Sequence, residues 1–186
     1  MLWSEIPQRT RDGQYGVDVA WEDLEWSIKR YTENYNLDLC PDFQRGHVWT
    51  MEQRVAYLES KLSGGIQVDV IRFNHPDWGN SYEGQMVCVD GLQRLTTALM
   101  FLRDEVRAFG CLRSEFGGGK RGNYVPSTIN FRININNLPT RAAVLKWYLE
   151  MNAGGTPHSA SEIARVTALY EAEVARLQAE VASLKK

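Results

Sequence analysis

Cysteine is scarce and unpatterned in this chain: Cys40, Cys88 and Cys111 are odd in number and none stands in a C-x-x-C pair. That excludes a disulfide framework and a cysteine-built zinc site, and leaves Cys88, inside the apolar run Met86-Val87-Cys88-Val89, as a small core residue. An excess of basic charge is missing too. Lys and Arg number 21 against 23 Asp and Glu, for a net charge of −2, which excludes an overall basic surface for non-specific DNA binding and leaves only a local patch. No apolar run approaches the ~18 residues of a membrane span. The opening Met1-Leu2-Trp3-Ser4-Glu5 also lacks the basic and apolar regions of a secretory signal. The expectation is a soluble, cytoplasmic protein with no membrane partner.

What is present is apolar sequence, 44% of 186 residues, enough for one well-buried domain with an appendage. The residues up to Tyr15 read as extended or irregular. Trp21 to Tyr31 reads as a helix, with Trp21, Leu24, Ile28 and Tyr31 on one face and Glu22, Glu25 and Lys29 turned away. Helices follow at about 51–62, 92–108 and 140–151, and short strands near 37–40, 67–73, 86–89 and 128–134, which predicts a small mixed α+β domain.

Residues 87 to 99 carry the strongest chemical signal. The apolar run 86–89 leads into Asp90-Gly91-Leu92-Gln93-Arg94, after which Leu95, Leu99 and Leu102 recur at helical spacing, so a buried strand turns sharply into a helix. A helix start has unpaired backbone N–H groups and partial positive charge; Gly91 permits a tight turn, and Arg94, Thr96 and Thr97 add polar groups, a setting suited to phosphate. The same residues also fit plainer roles, Asp90 as a helix cap, Gly91 as a turn glycine and Arg94 on a solvated face.

Two further segments join this one. Upstream stands Leu39-Cys40-Pro41-Asp42-Phe43-Gln44-Arg45-Gly46-His47-Val48-Trp49-Thr50, followed by a helix, a Gly64-Gly65 break and the β-rich Val68-Asp69-Val70-Ile71-Arg72-Phe73; downstream stands Met151-Asn152-Ala153-Gly154-Gly155-Thr156-Pro157-His158-Ser159. In this order the three segments resemble the signatures of the N-terminal domain of GmrSD-type restriction endonucleases, in the ParB/sulfiredoxin-like group: a Gln-Arg element, a D-G-Q-Q-R-L-T-T turn and an Asn-Gly-Gly loop. The resemblance covers residues from about 20 to 165. It implies a ParB-like fold that gathers the three elements around one pocket for a nucleotide, and nucleotide binding and hydrolysis that control a nuclease acting on modified DNA. One position departs, since Leu92 stands where the family motif has an amide.

The chemistry of such a pocket can be stated residue by residue. Arg45 and Arg94 are charged forks suited to bidentate phosphate contact, and Gln44 and Gln93 can orient a water or read a base edge. Asp90, the acid of the strand-to-helix turn, is the candidate for a magnesium ligand or for positioning a water, with capping of the helix amides as the equal alternative. Asp90, Gln93 and Arg94 are thus the candidate catalytic set for a nucleoside triphosphate with Mg²⁺. Gln44, Arg45, Trp49, Gly91, Thr96, Thr97, Asn152, Gly154, Gly155 and Thr156 are the candidate nucleotide-binding set. Trp49 and Phe43 stack on a base or belong to the core; Asn152, Gly154, Gly155 and Thr156 wrap a phosphate or simply connect two helices. His47 has no visible partner and reads as a surface or satisfied histidine. The segment Arg103 to Tyr124, with Arg103, Arg107, Arg113, Lys120 and Arg121 around Gly117-Gly118-Gly119, is a candidate phosphate-gripping loop diluted by Asp104, Glu105 and Glu115.

From Ser161 the character changes. Ile163, Tyr170, Leu177 and Leu184 recur every seven residues, interleaved with Thr167, Val174 and Val181. This fits either a parallel coiled coil that would make a homo-oligomer through 161–186 or an amphipathic helix folded onto a 1–160 domain. After Ser159 there is no His or Asn, so the HNH nuclease chemistry carried downstream in full-length family members is not expected here. By analogy a short version fits a phage or mobile-element protein. Two functions compete: a nucleotide-dependent enzyme or switch, with DNA or a host restriction protein as a further partner, and an interaction protein that oligomerises by its C-terminal helix and modulates a partner complex.

Overall fold

A computed structural model describes residues 15–44, 46, 48–66, 68–117, 125–152 and 160–184. Four strands, β1 (Tyr15–Ala20), β2 (Val70–Asn74), β3 (Val87–Asp90) and β4 (Asn130–Asn136), form one sheet in the order β1-β4-β2-β3. Strand β4 runs antiparallel to β1 and parallel to β2, while β2 and β3 are antiparallel with a bulge between Arg72 and Phe73. Five helices surround the sheet: α1 (Leu24–Tyr35), α2 (Met51–Leu62), α3 (Leu92–Leu102), α4 (Arg141–Asn152) and α5 (Ala160–Leu184). The fold is α+β, as the alternation of periods predicts.

The sheet has two apolar faces. Phe131, Ile133 and Ile135 of β4, with Ile71 and Phe73 of β2 and Cys88 of β3, pack against Leu24 and Ile28 of α1 and Leu95 and Leu99 of α3. Val89, on the other face of β3, packs with Phe43, Val144, Leu145, Trp147, Tyr148 and Val166. Because β3 is covered on both sides, its sequence is a continuous apolar run and not an alternation. The stripe Trp21, Leu24, Ile28 and Tyr31 is buried as its spacing predicts.

Several boundaries differ from expectation for physical reasons. Residues 37–40 do not form a strand: Asp38 makes a single bridge to Val87, then its carboxylate accepts from the Cys40 amide and the chain bends into Pro41. Strand β1 is not evident in the sequence because only Val19 of its six residues is buried and its hydrogen bonds come from β4, distant in the chain. Helix α3 stops at Leu102, short of 108, in a Schellman arrangement: Asp104 takes φ 62°, its amide bonds to Phe101 and that of Glu105 bonds to Met100. By contrast α2 begins and ends where predicted, with Thr50 and Gln53 exchanging side-chain bonds to each other's amides in a capping box.

Helix α5 packs on α4 through its first turns, where Val166 is fully buried and Leu169 and Tyr170 are partly covered. Its last turns leave the domain surface, with Val181 and Leu184 exposed.

Gly91 controls the β3-to-α3 turn. Its φ is 100°, and a Cβ there would lie 2.5 Å from the Ile71 side chain and 3.2 Å from the Ile71 backbone of β2. Gly91→Ala is therefore expected to cost about 2–4 kcal/mol, roughly 1 for the left-handed backbone and 1–3 for overpacking. Gly110→Ala, with φ 77° and nothing within 4 Å, should cost only about 1 kcal/mol. Urea denaturation of the two variants checks this, and equal losses would show that the approach to Ile71 does not constrain the turn.

Candidate functional site

Asp90 closes β3 directly across from Arg72 of β2, and Gly91 turns the chain into α3 so that Arg94 comes back over the strand ends. Asp90 does not cap α3. Its Oδ2 accepts from Arg94 Nη2 at 2.9 Å and from Arg72 Nη1 at 3.2 Å. The second fork of Arg94, Nη1, donates at 2.6 Å to Asp69 Oδ1, and the Tyr57 hydroxyl of α2 donates to the other Asp69 oxygen. The Asp69 side chain is fully buried, whereas that of Asp90 is 42% exposed. A buried carboxylate is tolerated because charge-assisted or hydroxyl donors meet both oxygens.

The surroundings hold these groups in one protonation state. Burial opposes the charge of Arg94, but the Asp90 and Asp69 carboxylates outweigh it and raise its pKa above the usual arginine value. Burial, reinforced by the Asp69 charge, pushes the Tyr57 phenol far up, so it remains a donor. Burial pulls Lys61 down against the opposing pull of Asp69; its ammonium donates to the Ile66 carbonyl at 3.3 Å.

Gln93 is used as a strap. Its Oε1 accepts from the amides of Val48 and Trp49 at 3.2 and 3.3 Å, and its Nε2 donates to the Gly46 carbonyl at 2.8 Å. Gln44 donates to the Cys88 carbonyl of β3 at 3.1 Å. The Gln44-to-Trp49 segment is therefore tied to β3 and to the first turn of α3 by the two motif glutamines, so these two motif elements do come together.

Other candidates occupy plainer positions. The Thr96 and Thr97 hydroxyls donate to the carbonyls of Leu92 and Gln93, one turn back, and buried Thr97 accepts from Arg54 at 3.0 Å. Leu92 is in the core, so the side chain that departs from the family motif faces inward. Trp49 is partly buried against Tyr57, with ring centres 5.3 Å apart, and Phe43 is buried against Tyr148. Asn152 donates to the Tyr148 carbonyl of its own helix. Arg45, His47, Gly154, Gly155 and Thr156 lie outside the described residues, as do Lys120 and Arg121. Within the basic segment Arg103 pairs with Glu25 and Arg107 with Glu115, so the charge of both is already answered.

Sequence reasoning missed Asp69, Tyr57, Arg72 and Arg54, because all four stand outside the recurrent motifs. Asp69 carried a usable signal: an acid between Val68 and Val70, at the head of an apolar strand, must find a cation if it is buried. Among the described residues no three His, Cys, Asp or Glu side chains cluster as a metal site. The three cysteines are free thiols, and burial pushes that of Cys88 well up, as suits a core residue.

The architecture is that of a mixed α+β domain whose glutamine-arginine elements are bound to each other at one end of a sheet. The family model for the GmrSD restriction endonuclease N-terminal domain matches residues 27–140, and the chain belongs to that family. That family is named for a restriction endonuclease, which gives the chain a restriction-system context. No curated protein and no solved structure matches the chain. Among the described residues no helix is long and apolar enough to cross a membrane.

Asp69 should dominate the stability of the site. Asp69→Ala leaves Arg94 and Tyr57 without their buried acceptor and is expected to cost about 3–5 kcal/mol, whereas Asp90→Ala, at an exposed carboxylate, should cost about 1 kcal/mol. Urea midpoints of the two variants test this order; a larger loss for Asp90→Ala would reverse the hierarchy.

Proposed function

We propose that the chain is a nucleotide-responsive module of a restriction system, binding a nucleoside triphosphate with Mg²⁺ at the start of α3. The observation that carries this reading is the Gln93 strap, which ties the residues flanking Arg45 to a helix start whose cap is a glycine with no side-chain bond to the amides. Three arginines, Arg54, Arg72 and Arg94, surround this end of the sheet against two carboxylates, Asp69 and Asp90. The local balance favours an anion.

The roles divide between residues that build and residues that bind. Arg94 and Gln93 position the site, because their polar atoms are committed to Asp69, Asp90 and the 46–49 backbone. The first-turn amides of α3, Arg72 and Arg45 are the phosphate-binding groups in this reading, and Asn152, Gly154, Gly155 and Thr156 keep the phosphate-wrapping role proposed from the sequence. Mg²⁺ commonly uses one or two carboxylates plus phosphates and waters. Asp90 fits that requirement, since both arginines bind the same one of its oxygens, and the ion would supply charge neutralisation to the phosphates. Binding at α3 would act on the strap and so on the 46–49 segment and α2, shifting the population that a partner reads.

A second reading rests on α5, whose last turns carry Val174, Leu177, Val181 and Leu184 beyond the part that packs on α4. In it the chain is an interaction protein that oligomerises through this helix end and modulates a partner complex.

Calorimetric titration with each of the four ribonucleoside triphosphates and magnesium tests the first reading, followed by phosphate release for any that binds. At least one is expected to bind, with affinity about tenfold or more lower in Arg45→Ala and an unchanged melting temperature, the loss of one charge-assisted contact. Absence of binding by all four removes it. For the second reading, deletion of residues 174–186 should lower the mass seen by light scattering while leaving the α4–α5 packing intact; an unchanged mass rejects it.

A further inference from the structure

At the end of the sheet opposite Asp90 lies a cleft of about 220 Å³ lined by Tyr15, Arg30, Tyr31, Tyr35, Trp78 and Tyr82. It is assembled from the first residue of β1, the last two turns of α1 and the 75–86 connection between β2 and β3. Tyr31 and Tyr35 stand one helical turn apart on α1. Trp78 packs on Tyr35, Tyr82 and Tyr15 with ring centres 5.0, 5.2 and 5.5 Å away. The connection is braced from within, since the Asp77 carboxylate accepts from Asn80, from the Ser81 amide and from the Ser81 hydroxyl. Tyr82 is held at φ 59°, a left-handed conformation costly for an aromatic residue, and the residue is 42% exposed.

Tyr15 and Tyr82 remain exposed at the rim of the cleft, and beside it Arg30 lies 5.4 Å over the ring of Trp26, itself 63% exposed. Aromatic walls of this kind can hold a cation, a sugar or a flat heteroaromatic ring. The Arg30 guanidinium repels a cation and calls for an anion. Burial pushes the Tyr31 phenol up to about 12, so it is a hydrogen-bond donor at any ordinary pH, which also suits an anion. The volume is below the ~300–1,000 Å³ of pockets for drug-sized ligands, enough for a single ring system. A flat ring joined to a negative charge is the unit of a nucleic acid, and the bases of an intact duplex cannot enter because they are stacked and paired.

We propose that this cleft is a separate binding site for one unstacked nucleobase with its phosphate, the base against the Trp78, Tyr35 and Tyr82 rings and the phosphate on Arg30, with Trp26 as a neighbouring stacking surface. The site stands independently of the triphosphate reading, because the two share no residue: the cleft is built from β1, α1 and the 75–86 connection, and the other site from Arg72, Asp90 and the start of α3. The source of the unit is either a single strand or a free mononucleotide.

The test uses the full chain and a fluorescently labelled oligothymidylate at one fixed salt concentration, with anisotropy as the readout and a duplex as comparison. The strand is expected to bind more tightly than the duplex, and to bind about tenfold more weakly in both Arg30→Gln and Tyr82→Gly. Tyr82→Gly separates recognition from scaffolding, since the relief of the left-handed backbone offsets the lost ring packing, so the melting temperature should move little while affinity falls. Arg45→Ala should bind the strand like the wild type, which keeps this site distinct from the one at α3. Competition by thymidine monophosphate, lost in Tyr82→Gly, would assign the cleft to free nucleotides; binding of the strand without such competition would assign it to nucleic acid. Failure of both strand and mononucleotide to bind, wild-type affinity in both cleft variants, or binding of methyl glucoside in their place overturns the proposal.

Discussion

The buried carboxylate of Asp69 is the constraint on which the site end of this domain depends. It has no exposure to water, so it must be answered by donors from the protein, and those donors come from different elements: Tyr57 from α2 and Arg94 from α3. Arg94 in turn grips Asp90 of β3, which is also held by Arg72 of β2. Two strands, two helices and the residue just before β2 are thereby fixed to one another by directional, charge-assisted bonds. Buried ion pairs are weak evidence for net stability but can define a unique arrangement. Here they set the rotation of α3 on the sheet, and with it the direction of Gln93, the neighbouring residue in the chain.

That rotation explains how an arginine and a glutamine in the motif serve as structure as much as chemistry. Gln93 spends its amide on the backbone of Gly46, Val48 and Trp49, and Gln44 spends its own on the Cys88 carbonyl. The polar side chains that look like ligand-binding groups in sequence are the fasteners that bring two distant segments together. In the proposed reading, anion binding therefore falls to the helix start, to Arg72 and to the excess of arginine over carboxylate.

The sheet separates two chemically unlike ends. At one, charges are paired and buried around the start of α3; at the other, tyrosines, a tryptophan and Arg30 surround an open cleft. The family match ends at residue 140, yet Phe43 and Val89 within it form a core with α4 and with Val166 of α5. The two C-terminal helices therefore complete the apolar cover of β3, and only the last turns of α5 stand clear of it.

Much of this was legible in the sequence, and what was not shares a cause. Periodicity located α1 to α5 because a buried stripe repeats within a few turns, and the Thr50 to Gln53 capping box and the Asp90-Gly91 turn are written in adjacent residues. Strand β1 was not legible, since one buried residue in six gives no pattern and its partner β4 lies more than a hundred residues away. The strand expected at 37–40 shrank to one bridge because pairing, not propensity, decides where a short strand ends. Likewise Arg94 read as a solvated or phosphate-binding arginine until the fold placed Asp69 against it. The sequence by itself determined the fold class, the turn that only glycine can make and the family. Tertiary structure alone decided which charges are buried, which glutamines are fasteners and which aromatics form a cleft, because each depends on contacts between residues far apart in the chain.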